Sequence, residues 1–264
     1  MTNVLNQMIV KCGGTLFNMK LGTFAPCLNK PSCLVGVEVT KMGKDKKYSL
    51  VGTNNRFHNK IITEEIIQKG GEDRYPINEF IDILSSKFKS PPETFIIYRN
   101  GESSFQNKTI VEDEIAPLRK HLEELEKKTG GKHKCAFVLT SKQAELKFFQ
   151  KQQGGLNNPR SGLIIDEVVT TPNSYEFYLQ PQFVNQGTAT PTKFTVKMDT
   201  TDLNIEELQE ITYFMCFYYW NWAGAIRVPS VLKYSEVLHK FASINLGKEP
   251  KKINDRIKNS PFFI

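Results

Sequence analysis

Phe95-Ile96-Ile97-Tyr98-Arg99-Asn100-Gly101-Glu102-Ser103-Ser104-Phe105-Gln106 is the stretch on which the fold turns. Phe95 to Tyr98 are large, β-branched or aromatic, and read as a buried strand. Arg99-Asn100-Gly101 ends it, because Asn and Gly accept backbone angles that a strand residue cannot. A polar residue at the carboxyl end of a central strand in an α/β sheet sits where ligands usually bind, so Asn100 marks a candidate site. Upstream, Cys33 to Thr40 is a second strand with one acid, Glu38, inside it. A carboxylate there needs a cation, a metal or a strand-end position near water; an edge strand with Glu38 facing solvent also satisfies the pattern.

Lys41 to Lys47 is polar, contains Gly43, and reads as a hairpin loop. Tyr48 to Thr53 returns and Phe57 to Ile62 follows, which makes an antiparallel meander. Thr63-Glu64-Glu65-Ile66-Ile67 reads as the start of a helix capped by Thr63 and stopped by Gly70-Gly71. First-turn acids are favoured by the helix dipole, which accounts for Glu64 and Glu65 without any site. Pro76 to Phe88 is an amphipathic helix with Ile77, Phe80, Ile81 and Leu84 on one face. Ile115, Leu118, Leu122 and Leu125 mark another, whose start near Ile115 follows from Pro117 and whose end is Gly130-Gly131.

Cys135 to Thr140 is an apolar strand. Ser141 to Phe149 carries Lys142 and Lys147 ahead of two phenylalanines and reads either as a solvated basic loop or as a phosphate contact. Gln150 to Ser161 is a loop; Gly162–Val169, Tyr175–Leu179 and Phe194–Met198 are strands. Asp202 to Tyr219 and Val231 to Leu246 are helices, and Lys248 to Ile264 is a basic tail ending on aromatics. At the other terminus, Val4 to Val10 is a short helix or strand. Lys11-Cys12-Gly13-Gly14 is a turn, or a cation and bare backbone placed for a phosphate.

The 264 residues suffice for one large domain or two small ones, with 39% hydrophobic and 24% charged residues, ordinary for a soluble protein with a real core. A net charge of +7 favours an acidic partner. The five cysteines form no C-x-x-C pair and only four histidines are present, which argues against a zinc site or a disulfide framework. No apolar run reaches the ~18 residues of a membrane helix and no signal peptide is visible, so an intracellular protein, nuclear or cytoplasmic, is expected, with no membrane partner.

Several of these segments, in order, resemble the PIWI domain of Argonaute and Piwi proteins. Tyr98-Arg99-Asn100-Gly101 with Gln106 is similar to the Tyr-Arg-Asp-Gly-Val-x-x-x-Gln segment. Val10-Lys11-x-Gly13-Gly14 resembles the family's leading segment, and Val35-Gly36-Val37-Glu38-Val39 its Val-Gly-x-Asp-Val strand. Gly187-Thr188 to Val196 resembles Gly-Thr-x-x-Pro-Thr-His-Tyr-x-Val. Tyr219-x-Asn221-Trp222-x-Gly224-x-Ile226-Arg227-Val228-Pro229 resembles the Piwi branch more than the Argonaute branch. The resemblance implies an α/β fold: an RNase H-like mixed β-sheet flanked by helices, filling residues 1–264. Residues 1–32 would adjoin a MID domain, and 33–264 would form the core and tail.

The resemblance also implies roles. Four positions match the family's catalytic tetrad: Glu38, Glu65 on a helix or loop (with Glu64 the one-residue alternative), Asn100, and Glu236 where active members carry His. His239 lies one helical step on. RNA contacts are implied for Lys11, Lys142, Lys147, Gln186, Thr188, Lys193, Tyr219, Arg227 and the terminal Ile264. Active members cut RNA with two Mg²⁺ ions about 4 Å apart. Asn100 offers one neutral oxygen and an NH₂ that repels a metal. Glu38 is a methylene longer than Asp, and a misplacement of about 1 Å can cost ~10²-fold. The expectation is therefore a guide small-RNA binding module without slicer activity and without a cofactor. The alternatives are a slicer with an altered acidic site using Mg²⁺ or Mn²⁺, and a basic scaffold for protein partners. Expected partners are guide and target RNA and the MID and PAZ domains of the same or a longer protein.

Overall fold

The computed structural model describes residues 2–264 apart from 24, 102–106, 144, 153, 246–253, 255, 256 and 258. Gln106 and most of the basic tail lie outside the described residues. The quoted stretch supplies strand Thr94–Asn100, whose first six residues are buried. Counting from the amino terminus, the strands are β1 (Ser32–Met42), β2 (Asp45–Thr53), β3 (Ile61–Gln68), β4 (Thr94–Asn100), β5 (Lys134–Ser141), β6 (Gln150–Gln152), β7 (Gly155–Asn157), β8 (Leu163–Ile165), β9 (Glu176–Gln180) and β10 (Thr192–Asp199). The helices are α1 (Thr2–Lys11), α2 (Pro76–Lys87), α3 (Asn107–Ile110), α4 (Ala116–Thr129), α5 (Ile205–Met215) and α6 (Ser230–Asn245).

Eight strands form one mixed sheet in the order β3-β2-β1-β4-β5-β10-β9-β8. β1, β4 and β5 run parallel at its centre, and antiparallel strands extend it on both sides. Alternate residues of the central strands feed two separate cores. Leu34, Ile96 and Val138 pack with α5 and α6 on one face, while Val35, Ile97 and Phe137 pack with α2 and α4 on the other. α6 lies against β1 so closely that a Cβ on Gly36 would come within 2.1 Å of the Val231 carbonyl oxygen.

The meander β1-β2-β3 stands, with different limits. Lys41 to Lys47 is mostly strand, turning only at Gly43-Lys44, where Gly43 takes φ +66°. Phe57 to Lys60 is not a strand: the Asn55 side chain accepts from the amides of Asn59 and Lys60, and His58 adopts φ +54°. The strand begins at Ile61 and runs through Thr63–Ile67, where a helix was expected. All eight of its residues are in register with β2, and that ladder outweighs the first-turn look of two adjacent acids.

The helix expected from Ile115 begins earlier, at Asn107, and passes through a wider turn at Val111–Ile115. There the Ala116 amide bonds to the Val111 carbonyl five residues back, just before Pro117, which has no N–H for the ladder. Gln150 to Ser161 contains the small hairpin β6-β7 rather than loop alone. The Gly162–Val169 strand shrinks to β8, since Val168 takes φ +67°. α5 is shorter than Asp202–Tyr219 because Asn204 and Glu207 form a reciprocal capping box at its start. Val4 to Val10 is helical, within α1.

Candidate functional site

The carboxyl ends of β1 and β4 bring Glu38 and Asn100 together on the α6 face. Asn100 Nδ2 donates to Glu38 Oε2 at 2.9 Å. Burial pushes the Glu38 carboxyl up from its ordinary value; the Asn100 hydrogen bond opposes this, nearby Glu236 adds to it, and Lys142 and Arg99 act against it. Glu236 reaches the same place from α6 and is 6% exposed. It is held by two ammonium groups, Lys142 Nζ at 2.5 Å and Lys233 Nζ at 3.3 Å.

A second polar group adjoins the first through strand register. Glu38 faces Ser49 on β2, and Ser49 faces Glu65 on β3. Ser49 Oγ donates to Glu65 Oε1 at 2.8 Å, and Lys47 Nζ lies 3.4 Å from Glu65 Oε2. Burial raises the Glu65 carboxyl, with Ser49 and Lys47 working the other way. His239 of α6 closes the group: Nδ1 lies 3.1 Å from Ser49 Oγ and Nε2 3.1 Å from Thr40 Oγ1. Burial, then Lys47, lowers its pKa below the ordinary 6.5, so it is neutral at pH 7. Sequence reading missed Thr40, Lys47, Ser49 and Lys233. The one signal in the sequence is Ser49, set between the buried apolar residues Tyr48, Leu50 and Val51 of β2.

The four positions expected to form the tetrad thus share one face, but Glu65 reaches it from a strand and not from a helix or loop. Each acid already has an internal hydrogen-bond donor or cation. Glu65 Oε2 has no hydrogen-bond donor among the described residues, but an NH₂ donates into Glu38 Oε2, Asn100 is neutral and two ammoniums hold both Glu236 oxygens, so the set does not fit a two-metal centre. Among the described residues, no group of three or more His, Cys, Asp or Glu side chains is arranged to hold a metal ion.

The residues expected to touch RNA divide into committed and open ones. Lys11 ends α1, and the two glycines after it close the helix: Gly13 N bonds to Val10 O and Gly14 N to Ile9 O. A helix carboxyl end suits a cation, but its dipole repels a phosphate. Arg227 is half-buried and ties backbone together, donating from Nη2 to the carbonyls of Lys142 at 2.6 Å and Pro191 at 3.4 Å. Lys193 pairs with Glu176 at 2.9 Å. Tyr219 is 7% exposed, packed on Tyr234 with ring centroids 5.3 Å apart, and offers no open stacking face. Lys142 is taken by Glu236. Lys147, Gln186 and Thr188 remain exposed, and among the described residues Lys147 bonds to Thr190 Oγ1 at 3.1 Å. Ile264 is half-buried beside Phe263, and Phe262 and Phe263 fold the tail onto Phe241 and Tyr234 of α6.

A mixed sheet of this order, flanked by helices on both faces, agrees with the comparisons. The Piwi domain model matches residues 1–246, so the chain belongs to the Piwi domain family. It is 37% identical to the Piwi-like protein Siwi of Bombyx mori over 159 residues, covering 60% of this chain and 18% of that protein. It is 28% identical to Piwi-like protein 1 of Gallus gallus over 274 residues, covering 97% of this chain and 30% of that one. The chain therefore spans less than a third of the length of these relatives. In fold it superposes on a Kluyveromyces polysporus Argonaute with a guide RNA at a TM-score of 0.82, with 19% identity over 99% of this chain and 36% of that one. The sheet is RNase H-like, and among the described residues no helix is long and apolar enough to cross a membrane.

Proposed function

We propose that this chain is a guide-RNA binding PIWI module of small-RNA silencing that does not cut its target. The observation that carries the reading is that the Glu38 and Glu236 carboxylates are engaged from within: Asn100 donates into Glu38, and Lys142 and Lys233 hold Glu236. A two-metal displacement needs several anionic oxygens left open to ions, and here Glu38 Oε2 and both Glu236 oxygens are engaged by the protein's own donors. Support for RNA as the partner comes from the net charge of +7 and from the family; the matched Kluyveromyces protein carries a guide RNA. Backbone charge and duplex shape would hold the RNA, and base pairing would select the target. MID and PAZ domains are the partners this reading requires, with residues 1–32 adjoining the MID domain.

The test is a single-turnover assay with RNA-loaded protein and a matched target in Mg²⁺ and Mn²⁺. No product is expected in either. Metal-dependent cutting that Glu38→Ala abolishes would favour the altered slicer instead. Absence of RNA binding even at low salt would leave the protein-scaffold reading.

A further inference from the structure

Three stretches of the chain carry no Asp or Glu: Leu146 to Ile165, Phe177 to Met198, and Ile211 to Ser235. Hydrogen bonds join them. Asn158 Nδ2 donates to the carbonyls of Val184 at 3.2 Å and Gly187 at 2.8 Å, and Asn158 Oδ1 accepts from the Ala189 amide at 2.9 Å. Gln182 Nε2 donates to the Ala225 carbonyl at 3.1 Å, which links the second stretch to the third. On these joined loops Phe183 is 70% and Trp222 56% exposed, while the neighbouring Trp220 is 4% exposed and sits edge-on to Phe17. The Trp222 indole is laid against its own turn, with Nε1 only 3.2 Å from where a Cβ on Gly224 would stand. Lys147, Lys151 and Arg160 are exposed on the first stretch.

A single exposed apolar residue means little. Two exposed aromatic rings on loops that lack acids and carry open cations are a different pattern. Aromatic faces accept any base, and cations along the same path hold the phosphates. A protein partner would also cover apolar rings, but the exclusion of acidic residues from all three stretches selects for a polyanion. We infer that Phe183 and Trp222 form a base-stacking platform for an unpaired stretch of RNA, with Lys147, Lys151 and Arg160 on its phosphates. This rests on the RNA-binding reading above and adds to it a preference for single strands at a defined place.

The experiment compares binding of an oligouridine of about 12 nucleotides with a duplex RNA of equal length, using the full chain. Wild type is expected to bind the single strand with quenching of its exposed indole. The doubly substituted Phe183→Ala/Trp222→Ala protein should lose about tenfold in single-strand affinity, with duplex affinity and melting temperature unchanged, and Trp222→Phe should keep most of the binding. Unchanged single-strand affinity in the double variant overturns the platform alone, as does equal loss for single strand and duplex. A wild type that binds neither RNA at low salt overturns the guide-RNA reading as well.

Discussion

The pocket under α6 and the loop surface around Trp222 treat charge in opposite ways. In the pocket, Glu236 is 6% exposed and held by Lys142 and Lys233, Glu65 by Ser49 and Lys47, and Glu38 by Asn100. At the loops, acids are absent from the sequence and Lys147, Lys151 and Arg160 face water. A buried ion needs a partner inside the fold, because its hydration is gone and little else replaces it. An exposed cation needs none and remains available to a ligand. The difference separates residues committed to the fold from residues left open to a ligand.

One substitution made in both regions should separate them most sharply. Gly36→Ala would drive a methyl into the Val231 backbone at 2.1 Å, and backbone cannot move without shifting α6 off β1. A loss of about 3 kcal/mol or more is expected in urea unfolding. Gly224→Ala meets only the edge of the Trp222 indole at 3.2 Å, and should cost under about 1 kcal/mol. Equal losses would break the comparison.

Charge removal comes next. Lys142→Met leaves buried Glu236 with Lys233 alone and should destabilise by about 2 kcal/mol, whereas Lys151→Met should stay within about 0.5 kcal/mol. In RNA binding the order reverses for open cations. Lys147→Ala should leave stability unchanged but lower the slope of log affinity against log salt by about 1, the signature of one lost phosphate contact. A slope unchanged by Lys147→Ala would remove it from the RNA path.

The smallest effect concerns pH. His239 has a folded pKa below its ordinary 6.5 because of burial and Lys47. Its neutral form is the one the fold accommodates, so its contribution is intact above pH 6.5 and declines as pH falls towards the folded pKa. Glu38 and Glu65, raised by burial, bias stability the other way as they protonate in more acidic solution. His239→Gln should therefore narrow the stability loss below pH 6.5 relative to wild type. An unchanged profile would mean that His239 does not sense its buried setting.

The central sheet was legible because its strands are apolar runs ended by Gly, Asn or polar turns, and Asn100 stood out as the polar end of one of them. β3 was not legible: Thr-Glu-Glu-Ile-Ile satisfies the local rule for a helix start, and only pairing with β2 overrides it. That pairing is a contact between distant segments, which no local pattern contains. For the same reason the sequence shows Glu38 and Glu236 as single acids but not their partners: Asn100 on Glu38, and Lys142 and Lys233 on Glu236. Tyr219 and Arg227 belong to a motif that mixes core and surface residues. Exposure then separates Tyr219, buried on Tyr234, from Trp222 three residues along.

The claim that the donors on Glu38 and Glu236 keep two divalent ions out of the pocket is tested most directly by titrating the protein with Mn²⁺ in a calorimeter, beside the Glu38→Ala variant. Identical traces for the two proteins, without saturable heat at millimolar ion, are predicted. Saturable binding of two ions to the wild type, lost in Glu38→Ala, would contradict the account.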